Sequence, residues 1–60
     1  MGSYMYMIGM NRGMIHGTKK KAIARFAIFV DEYGRTGDHA ELWDLKREQL
    51  VMAVTVQPRK

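Results

Sequence analysis

The sequence predicts an α+β fold, a small antiparallel sheet carrying one helix, and three observations predict it. Residues 50–57, Leu-Val-Met-Ala-Val-Thr-Val-Gln, alternate as a strand does and end at Pro58. Residues 20–31 hold a short β-branched and aromatic run, Phe26 to Val30. Residues 38–49 carry acids early and bases late, the order that suits a helix macrodipole. The expected order is strands near 3–8, 20–31 and 50–57, with a helix near 38–49. The alternative is an all-β meander, in which a strand at 39–45 follows a loop at 34–38.

Each element has its own warrant. In Ser3–Ile8, Tyr4, Tyr6 and Ile8 share one face of a strand, with Met5 and Met7 on the other. Asn11-Arg12-Gly13 reads as a hairpin turn, because Asn and Gly tolerate positive φ. Residues 19–33 fit two templates: Ile23, Phe26, Ala27 and Val30 make a helix stripe, while Ala22, Ala24, Phe26, Ile28 and Val30 make a strand face. The strand is preferred because a helix would set Lys19-Lys20-Lys21 at its N-terminus and Asp31-Glu32 at its C-terminus. Both oppose the dipole, by a few tenths of a kcal/mol to about 1 kcal/mol each. Gly34 and Gly37 break the chain next. Asp38 with Glu41 then has the form of a capping box, which puts Leu42 and Leu45 against the sheet. In the last strand Leu50, Met52, Val54 and Val56 share a face.

The chain is one small domain of 60 residues without cysteine, so neither a disulfide nor a Cys-type zinc site stabilises it. A core this small barely offsets an ordering cost of about 1.5 kcal/mol per residue. Self-association, most simply a homodimer paired through its strands, is therefore expected. No apolar run reaches the roughly 20 residues of a membrane span, and no signal peptide is read, so the expected location is cytoplasmic. The opening Met-Gly-Ser has the form of a cloning remnant, and residues 1–13 are expected to be flexible or in part such a remnant.

Little here suggests an enzyme. His39 and Glu41 share a face if residues 39–45 are a strand, but two metal ligands without a third make no site. Gly34-Arg35-Thr36-Gly37 lacks the ending of a phosphate-binding loop. No cofactor, metal or small-molecule substrate is expected. The charge pattern is more informative. Residues 1–30 carry five cations and no acid, residues 31–48 carry six acids against three cations, and Arg59 and Lys60 close the chain. The expected function is a non-enzymatic binding module that contacts nucleic-acid phosphates through a basic strand face. Lys19, Lys20, Lys21 and Arg25 would meet phosphates, Phe29 would stack a base, and Arg12, Arg59 and Lys60 would extend the patch. The alternative is a regulator or inhibitor that docks on a larger protein. It rests on six methionines and on Tyr4, Tyr6, Tyr33 and Trp43, residue types favoured at adaptable interfaces.

Overall fold

The computed structural model describes residues 2–58. Strands β1 (Gly2–Ile8) and β2 (Asn11–Gly17) form a hairpin, followed by helix α1 (Lys19–Tyr33) and a second hairpin, β3 (His39–Asp44) and β4 (Gln49–Thr55). The four strands make one antiparallel sheet in the order β2-β1-β3-β4. The helix crosses one face of it, over β1 and β2 and less over β3. The fold is α+β.

The terminal strands stand where the sequence places them, and the middle is exchanged. Residues 20–31, read as a strand, lie within the helix; residues 38–49, read as a helix, hold strand β3 and a turn. The reason is packing. On a helix, Ala22 and Phe26 bury fully, and Ile23, Phe29 and Val30 close over them against Tyr4, Ile8, Ile15 and Leu42. Burying one such side chain is worth about 1.5–3 kcal/mol, which exceeds the charge–dipole penalty. The ends of the helix are also marked. Thr18 is its N-cap, with Oγ1 accepting from the Lys21 N–H at 3.3 Å, and Gly34 N–H closes on Val30 O at 3.0 Å.

In β3 the side chains alternate, Ala40, Leu42 and Asp44 inward and His39, Glu41 and Trp43 outward. Asp38 caps no helix; its carboxylate accepts from the Arg35 N–H at 3.0 Å in the loop before β3. Leu45 lies in the turn and is 41 % exposed rather than packed on the sheet. The first hairpin turns at Gly9-Met10, two residues before the expected Asn11-Arg12-Gly13. Gly9 supplies the positive φ of 57° that the first residue of such a turn requires. Gly13 lies in β2 opposite Tyr6, where any Cβ would collide with the Tyr6 ring. In β4 a bulge shifts the register between Leu42 and Trp43, so Leu50 leaves the face of Met52 and Val54 and pairs with Trp43. Residues 2–8 form a paired strand rather than a loose terminus.

Candidate phosphate-binding site

One end of the molecule gathers its cations. Helix α1 begins there, and so does the turn between β3 and β4. The turn is shaped by Asp44, whose Oδ1 accepts from the backbone N–H groups of Lys46 (3.1 Å) and Arg47 (3.2 Å). Glu48 completes it in the left-handed region, φ 53°. The side chains of Lys46 and Arg47 thereby stand beside Lys19, and with Gly2, Tyr4 and Asp44 they line a cleft of about 230 Å3. That is below the roughly 300–1,000 Å3 of small-molecule pockets, and suits a single anionic group better than an enclosed substrate.

Three features make the cleft attractive to an anion. Lys19, Lys46 and Arg47 are all exposed and so keep their charges in water. The first-turn N–H groups of α1 have no carbonyl partner within the helix and add the positive end of its macrodipole. Tyr4 is the third. It is only 5 % exposed, it lines the cleft, and its hydroxyl makes no hydrogen bond among the described residues. The ring is buried while the hydroxyl tip reaches solvent in the cleft, where it can donate to a bound anion. Asp44 is the one acid in the cleft, and its Oδ1 is already engaged by the turn it holds.

The residues singled out from the sequence divide three ways. Lys19, Lys20 and Lys21 form the first turn of α1, and Arg25 follows Lys21 by one helical turn on the outer surface. They share a helix end, so the basic strand face does not exist. Phe29 is no free stacking ring: it is half-buried against Tyr6 (centroids 5.1 Å) and Tyr33 (5.8 Å). Arg12 points from the opposite sheet face near the far end of β2, paired with Met7. Arg59 and Lys60 lie outside the described residues. Sequence reasoning missed Lys46, Arg47 and Tyr4. Asp44 preceding two cations in a turn was the available signal for the first two, and none existed for Tyr4.

The other end of the molecule is acidic. Glu32, Asp38 and Arg35 line a cleft there, and Asp31 stands near a second, between α1 and β4. His39 Nε2 and Glu41 Oε2 do meet on one strand face, 2.7 Å apart. Among the described residues no group of three metal-ligating side chains occurs, and no helix is long and apolar enough to cross a membrane.

No protein-family model, curated protein or solved structure matches this chain.

Proposed function

We infer that this protein is a small, non-enzymatic binding module that holds nucleic-acid phosphates at its basic end. The observation that carries the reading is the charge arrangement around α1. Three lysines occupy the first turn, with no acid among them, and no base occupies the last turn. Each such placement costs the helix stability. The same placement sums the lysine charges with the helix dipole and with Lys46 and Arg47 from the neighbouring turn. Departures from a local stability rule tend to collect at functional sites. A phosphate in the cleft would meet Lys19, Lys46 and Arg47, with the Tyr4 hydroxyl donating from below.

The test is binding of labelled single-stranded DNA, RNA and duplex at 50 and 200 mM salt. Affinity should fall steeply with salt. Changing Lys19, Lys46 and Arg47 together to Ala should weaken every complex and lower the log–log salt slope by about 2–3, near one per lost phosphate contact. Absence of binding to all three at 50 mM salt would refute the reading.

A further inference from the structure

We propose that β4 is a self-pairing edge, through which two copies of the chain join antiparallel, about a two-fold axis at Ala53, into one continuous sheet. The inference is independent of the phosphate reading.

The strand order leaves two edges, β2 and β4, and they differ. Helix α1 lies over β1 and β2 and less over β3, and it does not reach β4. The β2 edge carries Arg12 and His16, with glycines at 13 and 17. The β4 edge reads Gln-Leu-Val-Met-Ala-Val-Thr, with no charge, glycine or proline. Edge strands are ordinarily blunted by charge, proline, a bulge or a covering element. The bulge of β4 lies before Met52, so residues 52–55 run regular and unblunted.

The backbone states what this edge accepts. Val56 N–H donates to Asp38 O at 2.9 Å. Hydrogen bonding alternates along an antiparallel strand, so Val54 and Met52 turn their N–H and C=O groups to Ala40 and Leu42 of β3. Ala53 and Thr55 therefore turn theirs outward, where no strand pairs with them among the described residues. Another extended backbone satisfies such a row; a helix or a flat apolar surface does not.

A second copy is the strand that fits. Antiparallel pairing about a two-fold axis is self-complementary. With Ala53 opposite its own counterpart, the two residues exchange both backbone hydrogen bonds, and no charge on β4 meets its own image. On the helix side Met52 of each copy then lies beside Val54 of the other. They extend the apolar floor of a recess of about 660 Å3 that Ala27 and Val30 form with Val54 and Val56. Charge favours the same direction. Lys46 and Arg47 precede β4, and Asp31 stands beside its far end with Glu32 next in the chain. Antiparallel pairing brings the basic end of each copy toward the acidic end of the other.

The test is sedimentation equilibrium of the full chain from about 1 to 100 µM, with amide hydrogen exchange followed over the same range. The mass should rise from 6.9 kDa toward twice that value. Exchange at Ala53 and Thr55 should slow with concentration, while the amides of β2 stay unchanged. Ala53→Pro removes the central donor and leaves the bonds that Met52 and Val54 make to β3, so it should weaken the dimer about 10-fold or more. Ala53→Lys keeps the N–H and sets like charges across the axis; it should weaken the dimer in low salt and less in high salt. A mass that stays at 6.9 kDa at the highest concentration would overturn the proposal. So would a dimer whose Ala53 and Thr55 amides exchange as fast as in the dilute chain, or assembly that grows past two copies. Wild-type exchange decides the matter even where a variant fails to fold.

Discussion

The two faces of the sheet are made from the same four strands and have opposite fates. On the helix side Tyr4, Ile8, Ile15, Ala40 and Leu42 are buried against Phe26 and Ala22. On the other side Met14, Met5, Trp43 and Leu50 form an apolar row with no layer above it. Apolar character does not separate them. What separates them is charge: the covered strand positions hold Asp44 alone, while the open ones mix the row with Arg12, His16, His39 and Glu41. The covered face is a core, and the open face has the composition of a surface that meets something polar. A protein this small has one layer of helix to spend, and it covers the face that carries the fewest charges.

Truncations should separate the faces most sharply. Phe26→Ala should cost about 3–5 kcal/mol and Leu42→Ala about 2–5 kcal/mol by denaturant unfolding. Leu50→Ala, Met14→Ala and Leu45→Ala should each stay below about 1 kcal/mol, because their side chains remain partly in water. If Leu50→Ala proved as costly as Leu42→Ala, the open face would be covered in solution and the comparison would fail.

The basic end should show a smaller change of opposite sign. Lys20→Glu puts an acid in the first turn of α1, so thermal stability should rise by about 0.3–1 kcal/mol while nucleic-acid affinity falls. Loss of both together would mean that Lys20 supports the fold rather than a ligand.

The smallest effect is the pH response of the open face. The Trp43 N–H, then the hydrogen bond to His39, holds the Glu41 carboxyl below the usual carboxylate range, with partial burial opposing. Its value is lower folded than unfolded. Ionised Glu41 therefore stabilises the fold above the unfolded value, and that contribution is lost as pH falls through the folded one. Wild type should lose slightly more stability than Glu41→Gln between about pH 6 and pH 3 in urea melts. Trp43 emission should change over the same interval in wild type alone. The same pH-dependent change in Glu41→Gln as in wild type would mean that Glu41 does not hold the indole in solution.

Legibility in the sequence followed the range of the signal. Strands β1 and β4 were readable because short alternating runs ended at Gly9 and Pro58. The exchange of helix and strand in the middle had two causes. Residues 19–33 satisfy both periods, and the dipole argument used to choose between them is worth less than burying Phe26. Residues 38–49 carry charges in helical order, yet Asp38 and Asp44 serve loops rather than a helix. Thr18 before the run and Gly34 after it were the local marks of α1, and the alternation from His39 to Asp44 was the mark of β3. Of the candidate site, the three lysines were legible as a cluster. Lys46 and Arg47 were visible as cations but not as their neighbours, since they lie 27 and 28 positions beyond Lys19 in the chain.

By itself the sequence determined the ingredients: an α+β chain without disulfides, a basic front, an acidic middle, and strands at 3–8 and near 50–57. Tertiary structure decided which middle segment coils, which sheet face is covered, where the bulge turns Leu50 outward, and which cations meet at one end. The physical reason is that periodicity and capping act within a few residues, whereas burial depends on the partner an apolar face finds. Phe26 is a helix residue here because β1, β2 and β3 offer it a floor, and that floor is assembled from segments on both sides of it in the chain.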